Sequence, residues 1–241
     1  MYRNRVIPCL LIDGTRLVKT VRFSSPTYIG DPLNAVKIFN DKGADELLII
    51  DIGQGPLQID FLRRLAAQSF MPLAYGGRIR SVEDARLVCS LGFEKVCVNG
   101  SALVDPSLVT SLSNALGASS VVCGIDVKKD FFGRKKVYHK TAKVRVSDPV
   151  LLAQEYERLG AGEILLQSVD NDGVMKGYDL ELISSVSSAV SVPLIALGGA
   201  GSLEDISRAV RAGAWASAAG SLFVYFGPRK AVLINYPEGA S

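Results

Sequence analysis

The chain repeats itself at an interval of nearly half its length, and this repeat limits the folds that it can adopt. The segment GGRIRSVEDARLVCSLGFEKVCVNGSAL begins at Gly76 and resembles GGAGSLEDISRAVRAGAWASAAGSLF, which begins at Gly198. The segment GADELLIID from Gly43 likewise resembles GAGEILLQS from Gly160. The two pairs are offset by 122 and 117 residues in a chain of 241. A fold built from two similar halves is therefore predicted.

Short apolar runs with strand-like composition alternate with segments of helical apolar spacing. The predicted strands are 6–11, 47–52, 72–75, 96–99, 121–126, 164–169, 193–197 and 216–220. The predicted helices include 32–42, 81–91, 149–159 and 202–212. Eight such strands indicate either a closed (β/α)8 TIM barrel or an open doubly wound sheet. The repeat favours the α/β barrel, because two half-barrels of four strands close on one another. An open sheet does not require two similar halves.

Length and composition favour a single domain over residues 1–241. Barrels of this class commonly use about 200–250 residues for one domain. Apolar residues make up 48% of the chain, enough for a large core, and no Gly/Ser-rich, Pro-rich or like-charge run suggests a linker. The half-barrels are expected at about 1–116 and 117–241.

Charge and cysteine usage exclude several classes of function. A net charge of +3 is too small and too dispersed for nucleic-acid binding, and the one basic triplet, 134–136, is expected at a hairpin tip. The four cysteines lack C-x-x-C spacing and are interpreted as small, mostly core residues in a reducing compartment: Cys9, Cys89, Cys97 and Cys123. With His139 as the only histidine, neither a metal nor a cofactor is expected.

The N-terminal residues Met-Tyr-Arg-Asn-Arg are not followed by a long apolar segment. No signal peptide and no membrane partner are therefore expected, and the predicted location is cytoplasmic.

Carboxylates and glycines gather at the predicted C-terminal ends of the strands, where barrels of this kind carry their active sites. Glycine-rich turns there offer backbone N–H groups to anions, and the repeat places two such turns at opposite sides of the mouth. A small phosphorylated substrate or other anion is therefore expected at this face. The alternative is that the glycines only make tight turns. The candidate anion-binding residues are Gly76, Gly77, Asn99, Asp172, Gly173, Gly198, Gly199, Gly220 and Ser221.

The opposite end of the barrel carries charges where a stable core would carry leucines. The third residue beyond the glycine that precedes each even-numbered strand is Glu46, Lys95, Glu163 or Ala216. Alternate strands contribute the side chains of one interior layer, and the two-residue period brings Arg5 to the same level. Two interpretations stay open: a structural ring of ion pairs, or a polar gate that admits a small polar molecule.

These residues carry a resemblance to the cyclase subunit of imidazole glycerol phosphate synthase, the HisF family, over nearly the whole chain. The matching stretches are RVIPCL, the GDP at 30–32, DELLIID, the Gly-Gly after the third strand, GAGEILL, SVDNDG with KGYD, and ALGGAG. The resemblance implies a (β/α)8 barrel with a glutaminase partner at its N-terminal face. It also implies that ammonia crosses the barrel and reacts with a bis-phosphorylated aminoimidazole ribonucleotide, a lyase step of histidine biosynthesis.

Carried over by position, the resemblance implies that Arg5, Glu46, Lys95 and Glu163 form the family's charged ammonia gate and that Lys19 lies in its substrate loop. Asp126 matches one of two catalytic aspartates that act as an acid–base pair. Leu11 stands where the other aspartate belongs.

Further departures fall at the anion-binding turns. Arg78 replaces a third glycine, Leu197 replaces a serine, and Gly100 replaces a threonine. Arg78 has two open interpretations: it plugs the phosphate site, or it binds a new anion.

The leading hypothesis is a divergent paralogue that docks a glutaminase and conducts ammonia, but whose cyclase reaction is lost or altered. Its ammonia would serve another acceptor, held by a third protein, for example in acetamidino-sugar synthesis for surface polysaccharide (O-antigen). One alternative is a genuine cyclase of histidine biosynthesis, and another is a scaffold barrel without catalysis.

Overall fold

The computed structural model describes residues 5–236. Residues 1–4, part of the stretch used above to argue against a signal peptide, and residues 237–241, the end of the second predicted half-barrel, lie outside the described residues. The strands are β1 Arg5–Asp13, β2 Arg16–Val21, β3 Ser24–Gly30, β4 Leu47–Asp51, β5 Leu73–Gly76, β6 Lys95–Val98, β7 Val121–Lys129, β8 Lys135–Val137, β9 Glu163–Ser168, β10 Leu194–Leu197, β11 Ala216–Ala219, β12 Tyr225–Phe226 and β13 Ala231–Val232. The helices are α1 Pro32–Asp41, α2 Ile59–Gln68, α3 Val82–Ser90, α4 Gly100–Val104, α5 Ser107–Leu116, α6 Pro149–Arg158, α7 Leu180–Ser187, α8 Leu203–Arg211 and α9 Ser221–Val224, with a 3₁₀ turn at Ala118–Ser120.

Eight parallel strands close into a barrel. They follow the order β1, β4, β5, β6, β7, β9, β10 and β11, and β11 pairs with β1 through the register Arg5↔Ala216 to Pro8↔Ala219. The predicted (β/α)8 TIM barrel is confirmed, and the open sheet is excluded because its edge strands would stay unpaired.

Helix caps recur at equivalent places in the two halves of the chain. Asp31 and Asp148 each accept backbone N–H groups at the start of a helix whose first residue is proline. Ser81 and Ser202 cap α3 and α8 by accepting the N–H of the residue three positions on. These caps set where each helix leaves its strand, and therefore how the rim loops are shaped.

The sequence interpretation was wrong about the segment after the first strand. That strand was expected to end at Leu11 and to lead into a long substrate loop, but β1 continues to Asp13 and forms an antiparallel hairpin with β2 and β3. Lys19 therefore lies in a strand of this hairpin rather than in a loop. Leu17 and Val18 of β2 are buried, and the burial of these apolar side chains stabilises the hairpin.

The apolar core has two parts. The larger lies between the barrel wall and the helices and includes Phe39, Tyr75 and Tyr156; the smaller fills the barrel. Cys9, Cys97 and Cys123 are buried free thiols, as predicted for core cysteines. In the described part of the chain, no helix has the length and apolar character needed to cross a membrane.

Candidate functional site

A closed ring of two cations and two anions lies at the floor of the barrel. Arg5 donates to Glu46 Oε2 at 2.8 Å and to Glu163 Oε1 at 2.6 Å. Lys95 Nζ lies 3.2 Å from both oxygens of Glu46 and 3.1 Å from Glu163 Oε2. Each glutamate thus bridges both cations. We call these four residues the floor ring.

The strand register brings the floor ring together. Arg5, Lys95 and Glu163 are the first residues of β1, β6 and β9, and Glu46 directly precedes β4. Arg5 pairs in register with Ala216, whose small side chain leaves the guanidinium room to cross the floor. Burial alone would lower the pKa of Arg5, but Glu163 and Glu46 together raise that pKa above its usual value. The two glutamates therefore stabilise the charged form of Arg5.

The side chains at the floor reach solvent to different degrees. The exposed fraction is 31% for Arg5 and 16% for Lys95, against 5% for Glu46 and 10% for Glu163. The cations thus lie nearer the outer surface and cover carboxylates that lie deeper.

Above the floor ring the barrel interior is apolar. It is lined by Ile7, Cys9, Leu48, Ala74, Cys97, Val122, Leu165, Ile195, Leu197, Ala216 and Ala218. Several of these side chains are small, and Gly76 and Gly124 lie on the same face as Ala74 and Val122. Those lining side chains are uncharged, so a neutral small molecule can pass them at little cost, whereas an ion would lose its hydration there.

Asp126 lies at the rim, at the far end of the interior. Its Oδ2 accepts a 2.8 Å hydrogen bond from Asn99 Nδ2. Burial raises the pKa of Asp126 to about 7, aided by the charge of Asp172 and opposed by the hydrogen bond from Asn99. A carboxyl with this pKa can both accept and donate a proton near neutral pH. The Asn99 Oδ1 atom is buried and has no hydrogen-bond partner.

Leu11 lies at the rim on β1, in register with Ile50 of β4 and Val18 of β2. Its side chain is half-buried and lines a cleft in the mouth. Leu11 can neither donate nor accept a proton. Asp126 therefore supplies a carboxyl group that can exchange a proton at the rim, and position 11 does not supply a second.

That cleft lies beside the glycine turns after β10 and β11, and we call it the rim cleft. Leu11 and Leu197 form part of its apolar wall, and the wall opposite is built from backbone and small side chains. It is lined by Cys9, Leu11, Lys19, Gln167, Asp172, Gly173, Met175, Leu197, Gly198, Gly199, Ala200, Ala219, Gly220 and Ser221.

Lys19 is the cation of the rim cleft. Only 5% of the residue is exposed, and its Nζ lies so close to Gly220 that a Cβ at that position would overlap it. Among residues 5–236, no carboxylate lies within ion-pair distance of this ammonium. The position of Lys19 was expected from sequence only as part of a substrate loop.

Asp172 and Gly173 fix the hairpin over the rim. Asp172 Oδ2 accepts from Thr20 Oγ1 at 3.1 Å and from the Phe23 N–H at 3.4 Å, and the Asp172 carbonyl accepts from the Arg22 N–H. Gly173 has a φ of +71°, and a side chain there would strike the Thr20 carbonyl. These contacts hold the strand that carries Lys19.

The turn after β5 differs from its repeat-related partner. Arg78 Nη2 lies 2.9 Å from Asp51 Oδ1, and its Nη1 donates to the Pro56 carbonyl at 2.6 Å. Tyr75 and the Gly53 N–H also donate to Asp51. Burial raises the pKa of Asp51, while Gly53 and Arg78 oppose that rise. Arg78 thus caps a buried carboxylate, with a φ of +58° that glycine would adopt without strain.

His139 is a rim residue whose place sequence reasoning missed. A Cβ on Gly100 would lie 2.6 Å from His139 Nε2, so the imidazole packs against the first residue of α4. His139 Nδ1 accepts from the N–H groups of Thr141 and Ala142. Burial lowers the pKa of His139. Only the adjoining glycine at position 100 hinted that another group occupies this space.

The structure therefore sorts the predicted site residues into three places. Arg5, Glu46, Lys95 and Glu163 meet at the floor. The second glycine turn and Lys19 meet in the rim cleft, together with Leu11. In the first glycine turn, Gly77 packs against the Asp51 backbone beside the Arg78–Asp51 pair, and Asn99 donates its amide to Asp126. Their functional roles remain predictions.

Comparisons with a family model and with known proteins point to the same family. The model of the family described as "Histidine biosynthesis protein" matches residues 5–228. The Pseudomonas aeruginosa protein "Putative imidazole glycerol phosphate synthase subunit hisF2" is 46% identical over 244 residues, 99% of this chain and 97% of its own length. A Leptospira interrogans protein, "Putative imidazole glycerol phosphate synthase subunit HisF", is 47% identical, covering 99% and 96%. The "Imidazole glycerol phosphate synthase subunit HisF" of Alkaliphilus metalliredigens is 40% identical, covering 93% and 92%.

Proposed function

The chain belongs to the histidine biosynthesis protein family as a divergent HisF paralogue, and from this premise we propose that it is the barrel subunit of a glutamine-dependent amidotransferase with altered cyclase chemistry. A HisH-like glutaminase docks at the N-terminal face, around the floor ring. Ammonia released there enters the barrel and reaches an acceptor at the opposite rim. The observation that carries the proposal is the contrast between an intact floor ring and a rim with Leu11 in place of a second carboxyl.

The floor ring supports the gate because its charges balance and its members differ in exposure. Two cations and two carboxylates balance one another, so an ammonium ion gains little by entering the ring. If Lys95 swings outward, a path opens while Arg5 still contacts both glutamates. Buried ion pairs are a weak source of stability, and an apolar floor would serve that purpose equally well. The apolar lining beyond the ring favours neutral ammonia over ammonium.

The rim supports altered chemistry because proton transfer needs two partners there. Asp126, with its pKa near 7, retains one proton-transfer group. The loss of a general acid or base typically costs about 10²–10⁴-fold in rate. A cyclase that lacks its first carboxyl is therefore expected to retain only residual turnover.

The finer destination of the ammonia is proposed from the resemblance alone. In acetamidino-sugar synthesis, the oxygen of a sugar N-acetyl group is first activated, for example by phosphoryl transfer from a nucleoside triphosphate; ammonia then forms a C–N bond to the same carbon, and the oxygen leaves on the phosphate to give an amidine. A third protein would hold that sugar against the rim for O-antigen assembly.

A second candidate is an ordinary cyclase of histidine biosynthesis, with Asp126 alone managing the proton transfers. The retention of Lys19 in the rim cleft together with the neutral-range pKa of Asp126 favours it.

Complementation separates the two candidates. We expect the gene not to restore growth of a cyclase-deficient bacterium without histidine, while the purified protein binds a HisH-type glutaminase and raises its glutamine hydrolysis. Growth at the rate given by a family cyclase would support the second candidate. Failure to bind or activate any such glutaminase would leave only a scaffold role.

A further inference from the structure

The two glycine turns at the barrel mouth are related by the repeat, yet side chains make them unequal. The turn after β10 lines a cleft that also contains Lys19, whereas in the turn after β5 the Arg78 side chain forms an ion pair with Asp51. This difference between the two turns determines how many anionic groups of one ligand can bind at the barrel mouth.

The rim cleft carries a cation without a counter-ion. Lys19 is 95% buried, and its ammonium lies against Gly220, beside Ser221 and the 198–200 turn. Asp172, the carboxylate that lines the same cleft, directs Oδ2 to Thr20 Oγ1 and to the Phe23 N–H. The ammonium lines the cleft and is not paired with a carboxylate of residues 5–236, so a negative ligand that enters the cleft gains a charge-assisted contact with it. A phosphate group between Lys19 and the glycine turn supplies that charge.

The turn after β5 lacks such an opening. The Arg78 and Asp51 side chains are 5% and 2% exposed, so the guanidinium is paired with an internal carboxylate. Its Nε is buried and has no hydrogen-bond partner within residues 5–236. An anion at this turn would have to compete with Asp51 for the Arg78 guanidinium. At the adjoining turn, His139 packs on Gly100 with Nδ1 engaged by backbone N–H groups.

We propose that the barrel mouth binds a ligand through one phosphate group, at Lys19 and the glycine turns after β10 and β11, and that the turns after β5 and β6 bind none. This deepens the proposed function, on which it rests for the mouth being the acceptor end. It restricts the ligand to compounds with a single phosphate group or equivalent anionic end, and it excludes bisphosphates that need both turns.

Phosphate titration followed by NMR tests this inference without a glutaminase or an amination assay. With inorganic phosphate as the probe, we expect one site per chain. Amide shifts should move at Gly198, Gly199, Gly220 and Ser221 but not at Gly76, Gly77 or Gly100. Two sites, shifts at the second group, or no binding at 50 mM phosphate or below, roughly the weak limit for a single charged contact, would overturn it.

A bisphosphate provides an independent comparison. The probes are linear alkanediol bisphosphates of increasing chain length, each compared with its monophosphate. If one turn binds phosphate, the two members of every pair should bind within about 3-fold of one another, since the second phosphate adds little. If both turns bind, a bisphosphate long enough to span them should bind tighter than its monophosphate by about 100-fold or more. The latter result contradicts the inference, whatever the outcome of the complementation experiment.

Lys19→Met tests the role of the cation. The variant should fold, because methionine fills the same space without a buried charge, and phosphate affinity should fall at least about 10-fold. The control is Lys37→Met, at an exposed position on α1, which makes the same change in net charge and should leave affinity unchanged. Equal affinity in Lys19→Met and wild type would overturn the inference.

Discussion

Asn99 Nδ2 donates a 2.8 Å hydrogen bond to Asp126 Oδ2, and this amide is the group that opposes the rise in the pKa of the carboxyl. The relationship joins the end of β6 to the end of β7, so two neighbouring barrel strands set the protonation of one rim group. It also yields a direct measurement.

Asn99→Leu should raise the pKa of Asp126 above its value of about 7, because the substitution removes a donor to the ionised form and keeps water out. The expected rise is about one unit, the size of one hydrogen bond to a charged group. Carboxyl ¹³C NMR titration measures it, with Asp126→Asn identifying the resonance. An unchanged or lower pKa would show that the amide does not act on the carboxyl.

Asp126→Asn should alter the pH dependence of stability. Because the folded-state pKa is raised from 3.8 to about 7, Asp126 contributes most to stability below pH 4, and that contribution is lost as the pH rises through 7. The variant lacks this loss, so its stability relative to wild type should increase by about 3 kcal/mol between pH 5 and pH 8. Urea unfolding at both pH values measures the difference; a gap that does not change with pH would contradict the assignment.

Arg78 and Asp51 should be strongly coupled. Arg78→Ala leaves a buried carboxylate without its cation and should destabilise the fold by about 3–5 kcal/mol. Adding Asp51→Asn should recover a large part of that loss, because the stranded charge is then absent. Urea denaturation of the two single variants and the double variant gives the coupling energy. Additive losses would mean that the pair is not a unit.

Lys95→Met should affect both stability and ammonia transfer. It leaves Glu46 and Glu163 with Arg5 alone, which should cost about 3 kcal/mol, the lower end of the range for a broken buried pair, because Lys95 keeps some contact with water. In the complete complex, transfer of ¹⁵N from the glutamine amide should fall at least about 10-fold against transfer from bulk ammonium.

Lys135→Met is the matched control for that experiment. Lys135 also bridges two carboxylates, Asp179 and Glu181, but on the outside of the barrel. Its loss should cost about 1 kcal/mol or less and leave ¹⁵N transfer unchanged. Equal transfer in the Lys95 and Lys135 variants would remove the gate from the proposal.

The barrel and the floor ring could be predicted from the sequence because both depend on local periods. Alternation along each strand and the shared spacing from a preceding glycine place Glu46, Lys95 and Glu163 on one interior layer. These patterns need no knowledge of long-range contacts. The fold and the meeting of these residues followed directly from them.

The side-chain contacts at the rim could not be predicted from the sequence, because they join residues that are far apart along the chain. Arg78 was recognised as a departure from a glycine pattern, but its partner Asp51 lies at the end of a different strand. His139 comes from a segment without regular structure, and nothing in its sequence context places it on Gly100. Lys19 was placed in a substrate loop by the family resemblance, whereas the structure pairs it with Thr27 in an antiparallel hairpin.

The central claim is that the barrel conducts ammonia toward a rim that no longer performs normal cyclisation. The most direct measurement supplies the purified protein with the bis-phosphorylated aminoimidazole precursor and ammonium salt, and compares formation of imidazole product with that of a family cyclase under the same conditions. The account predicts a rate lower by at least about 10²-fold, consistent with a missing acid–base partner at Leu11. A rate equal to that of the family cyclase would contradict it.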